Sequence, residues 1–219
     1  MKRHLWLQAP GQVEGDTSER ERFQKGASLV IKDVVQTIYP TSLTPEQYVE
    51  QDFHKQVAPP KNCPNCQHAH CLEALAYYDR YITTATALVM SIWVRRFQCQ
   101  FCHISVSCLP SFAQPYRPVN TATITAGFNG QDAHPQVQRW KELLRGYWQR
   151  FEMHLPTLLR QVGNAFGPLP LQPTAKGFWG QLLHCCGDLA SATQQLVHQF
   201  HACLFDTYRC HQRRQLQAA

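Results

Sequence analysis

The sequence predicts an α+β protein organised by a small four-cysteine zinc ribbon. Three observations predict it. Two Cys-x-x-Cys pairs, Cys63-Pro-Asn-Cys66 and Cys99-Gln-Phe-Cys102, stand 32 residues apart. The chain between and just after them is rich in aromatic and β-branched residues, a strand composition. From Pro135 onward, apolar residues recur instead at three- and four-residue steps, the helical period. The expectation is a three-stranded antiparallel ribbon, preceded by an N-terminal helix and followed by a mostly helical C-terminal half.

The elements follow in order. Residues 1–27 mix Gly, Gln, Glu and Arg without periodicity and read as a loose N-terminal arm. Ser28–Val35 suits a short strand or a helical turn equally. Thr44-Pro45-Glu46-Gln47 is a helix start: Thr44 can cap, Pro45 suits the first helical position, and Gln47 completes a capping box. That helix should run through about Val57 and end before Pro59-Pro60, inside a ribbon domain spanning 28–118. Ala76–Thr83, Leu88–Phe97 and His103–Leu109 are the three expected strands. The 32-residue gap exceeds the usual spacing of about 15–20, so the hairpin between the knuckles must be extended. Pro110, Pro115 and Pro118 close the module.

Residues 119–166 form the next segment, helical and helix-turn-helix-like. Thr121–Ala126 suits a short helix before the turn Phe128-Asn129-Gly130. Val137, Trp140, Leu144, Tyr147, Phe151, Leu155, Leu158 and Val162 then make one apolar stripe, which Pro156 should kink and Gly163-Asn164 should stop. Residues 167–177 are a Pro-rich linker. A C-terminal helical segment occupies 178–219, running from about Phe178 to Arg214, with Gly187 as a break.

A Cys-x-x-Cys turn aims two thiolates at one point, and two such turns complete a tetrahedral shell. Cys63, Cys66, Cys99 and Cys102 are therefore the expected ligands of one structural Zn2+. Iron–sulfur ligation uses the same residue types. His68, His70, Cys71, His103 and Cys108 lie close by, and His70 or Cys71 would substitute if one knuckle were irregular. A closed shell leaves no open coordination position, so it argues for scaffold rather than catalysis. The chain has no phosphate-cradling glycine loop, no Gly-x-Ser-x-Gly and no His-Glu-x-x-His, and the expectation is a protein that is not an enzyme. His184, Cys185, Cys186, His198, His201, Cys203, Cys210 and His211 could form a second metal site between 184 and 211, though their spacings match no known motif.

Ten cysteines would suit a secreted disulfide scaffold. The start of the chain reads otherwise: Met1–Leu7 resembles a charged leader, but Gln8, Pro10 and Gly11 cut its apolar run short. No apolar run approaches the roughly 20 residues of a membrane span, so a cytoplasmic protein without membrane contact is expected. Lysine and arginine number 21 against 15 acidic residues, which favours an anionic partner. Arg80, Arg95, Arg96 and Arg117 on or beside the ribbon, interleaved with Tyr78, Trp93, Phe97 and Tyr116, suit phosphate and base contact. Arg139 and Arg145 lie on the helix after Pro135 and would extend the same interface. DNA is the expected partner. The alternative is a zinc-stabilised protein–protein interaction module.

From Cys63 to Tyr116 the motifs run Cys63-Pro64-Asn65-Cys66, Tyr77-Tyr78-Asp79-Arg80, Arg95-Arg96-Phe97-Gln98-Cys99 with Cys102, and Leu109-Pro110-Ser111-Phe112 with Pro115-Tyr116. This quarter of the chain resembles a family of bacterial zinc-ribbon proteins associated with insertion sequences and related to transposase DNA-binding regions. The resemblance implies a zinc ribbon ahead of a helix-turn-helix-like segment. It also implies a role in transposition, as an accessory or truncated recognition protein of a mobile element, with a transposase as a further partner. After Tyr116 the chain departs from that pattern, and the helix-turn-helix is compressed around Phe128-Asn129-Gly130.

Overall fold

A computed structural model describes residues 33–86, 88–168 and 172–211. The expected N-terminal arm, the last residues of the expected C-terminal segment and part of the Pro-rich linker lie outside the described residues. The elements are β1 (Asp33–Tyr39), α1 (Pro45–Glu50), a 3-10 turn (Phe53–Lys55), β2 (Leu72–Thr83), β3 (Val89–Cys99), β4 (Ser105–Pro110), α2 (Thr121–Phe128), α3 (Pro135–Arg139), α4 (Lys141–Val162), α5 (Ala175–Cys186), α6 (Leu189–Phe200) and β5 (Cys210–His211). The fold is mixed α+β.

The three expected strands form as an antiparallel meander, with Tyr77 opposite Arg95, Asp79 opposite Trp93 and Phe97 opposite Val106. They are not a free three-stranded ribbon. The sheet has five strands in the order β2-β3-β4-β1-β5, and β1 lies parallel to β4 with Val35 beside Val106 and Ile38 beside Leu109. All six residues of β4 are buried, as are Val34–Ile38 of β1. A strand buried along its whole length needs neighbours on both edges and cover on both faces, which an isolated ribbon does not provide. Of Ser28–Val35 only Asp33–Val35 lie among the described residues, and they open β1, an inner strand whose apolar run lacks alternation.

Local signals behave as their chemistry requires at several ends. Thr44 caps α1 with its side chain on the Gln47 N–H while the Gln47 side chain accepts from the Thr44 N–H, a complete capping box. Gly163 ends α4 and, at φ 52°, occupies the left-handed region that favours glycine. Pro156 does not break α4. It sits on the exposed side, where water can satisfy the carbonyl it deprives of a partner.

The C-terminal half is not the mostly helical body expected. Irregular stretches separate its helices, and the segment expected to stay helical to Arg214 leaves the helix after Phe200. His201 turns left-handed at φ 48°, and the chain returns to the sheet as β5, antiparallel to β1. Ala202, Cys203, Leu204 and Phe205 explain the departure. Four consecutive buried residues cannot all face one side of a helix.

Two apolar cores result. One lies among the helices around Phe128, Phe151, Phe178, Trp179 and Phe205, and the other lies against the sheet around Tyr48, Ile92, Val94, Phe97 and Leu109. A small cluster of Val35, Ile104, Val197 and Cys203 ties α6 to β1 and to the loop before β4. Among the described residues, no helix is long and apolar enough to cross a membrane.

Candidate metal centre

The two knuckles share one backbone design. In each, the amide of the residue four after the first cysteine donates to that cysteine's carbonyl: Gln67 to Cys63 at 2.9 Å and His103 to Cys99 at 3.0 Å. Each first cysteine in turn donates its N–H to the carbonyl five residues on, Cys63 to His68 at 2.9 Å and Cys99 to Ile104 at 3.0 Å. The residue after each second cysteine is left-handed, Gln67 at φ 61° and His103 at φ 57°. Neither is glycine, so both positions carry some backbone strain, which a bound cation can offset.

The four sulfurs converge, all lying within 4.8 Å of one another. Cys63 Sγ is 3.7 Å from Cys102 Sγ, and Cys66 Sγ is 3.6 Å from Cys99 Sγ. A tetrahedron with metal–sulfur bonds of about 2.3 Å has edges of about 3.8 Å. The cluster is therefore sized to hold a metal ion.

Electrostatics point the same way. Burial raises the Cys63 and Cys66 thiols above the usual range. At Cys99 burial acts in the same sense, but it is outweighed by the Cys102 and Phe101 amides and by the Cys71 and Cys102 thiols, which bring it down to about 6. Four crowded sulfurs cannot all ionise without a compensating cation. Binding a divalent ion would supply that charge and release protons, so occupancy falls as the solution is acidified.

The rest of the protein holds the first knuckle in place. The Tyr208 hydroxyl donates to the Pro64 carbonyl at 2.8 Å, and the Gln67 side chain donates to the His198 carbonyl at 2.9 Å. Arg209 reaches Asn65 Oδ1 at 2.5 Å. The second knuckle meets the first at its tip, where the rings of His68 and the exposed Phe101 stack 4.2 Å apart. These clamps come from the far end of the chain, and no local motif announces them.

Cys71 is the residue whose place the spacing did not settle. It is buried, its thiol donates to the His68 carbonyl at 3.1 Å, and its sulfur lies 3.4 Å from Cys99 Sγ. It is a fifth thiol touching one ligand, outside the converged four. Among the described side chains no second group of three or more metal-binding residues converges. His198 is engaged by the Thr37 hydroxyl at 2.9 Å, and His201 stacks on Tyr208.

The arginines divide into two sets. Arg117 is 5% exposed and donates to the carbonyls of Tyr116 at 2.9 Å and Phe205 at 2.7 Å, beside Asp206. Arg80 donates to the carbonyls of Gln114 and Arg117. Arg80 ties β2 to the loop after β4, and Arg117 ties that loop to the stretch after α6; both guanidinium groups are taken up internally, a correction to their expected place in a phosphate-facing patch. Arg95 and Arg96 lie on opposite faces of β3. Arg95 stacks over Tyr77 and Phe97 and donates to the Lys55 carbonyl at 2.7 Å, while Arg96 stacks 4.1 Å over Tyr78. Arg139 and Arg145 are exposed, Arg139 over the Trp140 ring.

Two other buried thiols set an alkaline limit on stability. Burial pushes Cys108 and Cys203 from an ordinary value of 9.0 up to about 12. A neutral buried thiol contributes its full stability below pH 9. That contribution is lost as the pH rises toward 12, because only the unfolded chain can ionise there. Urea midpoints should therefore fall above pH 9, and Cys108→Ala should flatten that fall. An unchanged slope in the variant would contradict the assignment.

Comparison with protein-family models, with curated proteins and with solved structures finds no match.

Proposed function

We propose that this chain is a zinc-organised DNA-binding module, a non-catalytic accessory or truncated recognition protein of a bacterial mobile element. A single tetrahedral all-thiolate site selects zinc among common divalent ions. Sulfurs this close enclose one ion and leave no space for a cluster of several irons. A closed four-thiolate shell supplies no Lewis acid to a substrate, which supports a scaffold role. The mobile-element role rests on the motif resemblance between Cys63 and Tyr116.

One observation carries the nucleic-acid reading. The β2–β3 hairpin has a buried inner face at Ile82, Ile92 and Val94, and an outer face that leaves Tyr77, Tyr81 and Trp93 38–64% exposed. Tyr77 lies opposite Arg95, and Trp93 is one same-face step along β3. Same-face residues repeat at about 7 Å, close to the rise of a stretched nucleotide strand. Exposed aromatics beside a guanidinium can stack bases and meet phosphate.

Fluorescence anisotropy with labelled single-stranded and duplex DNA across a salt series tests this. Binding should weaken steeply with added salt. Trp93→Ala should cost about 1–3 kcal/mol per stacked base, which is about 5- to 150-fold in affinity. Absence of DNA binding at low salt would sink the proposal.

Two features favour the second reading, a protein-interaction module. Asp79 places a negative charge within the aromatic face, opposite Trp93, and β2 is an edge strand that an extended partner chain can extend. Under that reading a transposase-like partner copurifies and salt-insensitive DNA indifference is observed.

A further inference from the structure

We propose that Cys71 is a resolving thiol, and that a Cys71–Cys99 disulfide is an oxidative modification site that opens the metal centre. The inference rests on the metal reading of the four cysteines, and its chemistry is separate from DNA binding.

The geometry is specific to this pair. Cys71 immediately precedes β2, whose first residue Leu72 lies opposite Cys99, and the Gln100 amide donates to the Cys71 carbonyl at 2.9 Å. That backbone bond fixes Cys71 beside the ligand strand. Its sulfur is 3.4 Å from Cys99 Sγ, closer than either measured ligand pair. A disulfide bond is about 2 Å long, so rotation of the two side chains supplies most of the closure. The metal has no use for Cys71, since the other four already complete its shell. The half-buried Cys66 and Cys102 mark the side on which a small neutral oxidant can enter.

With hydrogen peroxide as oxidant the step balances. The Cys99 thiolate attacks one peroxide oxygen, the O–O bond breaks, and Cys99 sulfenic acid forms as hydroxide leaves. The Cys71 sulfur then attacks the Cys99 sulfur, the S–O bond breaks, and the departing oxygen leaves as water with the Cys71 proton. One thiolate and one thiol are oxidised, and one peroxide is reduced to one hydroxide and one water. Cys99 can then no longer donate as a thiolate, and an ion held by three ligands escapes to a competing chelator.

The test uses the full chain, first reduced and assayed for bound metal, then treated with peroxide in the presence of a zinc-sensitive dye. Wild type should release its metal together with formation of a Cys71–Cys99 linked peptide seen by mass spectrometry. Cys71→Ser should retain the metal when reduced and release it at least about tenfold more slowly, while Cys185→Ser, at an exposed thiol away from the cluster, should behave as wild type. Should Cys71→Ser fail to fold, the linked peptide from wild type decides the matter alone. Equal release rates, or a linkage joining other cysteines instead, would overturn the inference while leaving the metal reading intact. Reduced wild type without metal would overturn both before oxidant is added.

Discussion

Replacing Cys99 with serine is expected to remove about one equivalent of bound metal per chain and to collapse the sheet. Cys99 is fully buried and lies at the end of β3, so its sulfur belongs to both the metal shell and the sheet core. A serine hydroxyl does not ionise at neutral pH and binds a thiophilic ion poorly. The three remaining thiols would then stay neutral or face each other as charges. Structural zinc contributes on the order of 10–16 kcal/mol in isolated zinc-finger peptides, comparable to the whole stability of a typical domain. The loss should also spread. Pro64, Asn65 and Gln67 of the first knuckle are held by Tyr208, Arg209 and His198. Disorder there should therefore reach α6 and β5. Metal analysis beside far-ultraviolet circular dichroism checks this. Retention of full metal content by the variant would remove the site as described.

Phe151→Ala is expected to cost about 3–5 kcal/mol while leaving the metal ligands untouched. Phe151 has no exposed surface and packs against the rings of Phe128, Trp148, Phe178, Trp179 and Phe205, with centroids 5.6–6.4 Å apart. Those rings come from α2, α4, α5 and the stretch after α6. Truncation leaves a cavity that no single neighbour can fill, because each is held by its own packing in the core. Urea denaturation should show the loss as a lower midpoint, and the variant should still bind metal when folded. A cost below about 1 kcal/mol would mean that the helical core relaxes around the gap.

The two predictions touch different parts of the fold, and what the sequence could show of each differs. The apolar stripe containing Phe151 was legible as a period, and so were the capping box at Thr44 and the stop at Gly163. Each is written within about one helical turn of chain. The edge-to-face contact of Phe205 with Phe151 was not, since they lie 54 positions apart and no period links them. Arg80 and Arg117 misled for a related reason. Cations among aromatic residues look alike whether they face water or backbone carbonyls, and only the path of the loop after β4 for Arg80 and the return of the chain past Phe205 for Arg117 decide which.

By itself the sequence determined the four-thiol set, the three meander strands and several helix ends, among them Thr44 and Gly163, because turn chemistry, capping and side-chain periodicity act over a few residues. Tertiary structure alone decided that β1 completes the sheet in parallel with β4, that the C-terminal stretch clamps the first knuckle, and that Cys71 rests against Cys99. Those features depend on which distant surfaces bury one another, and burial between remote segments leaves no local mark in the order of the residues.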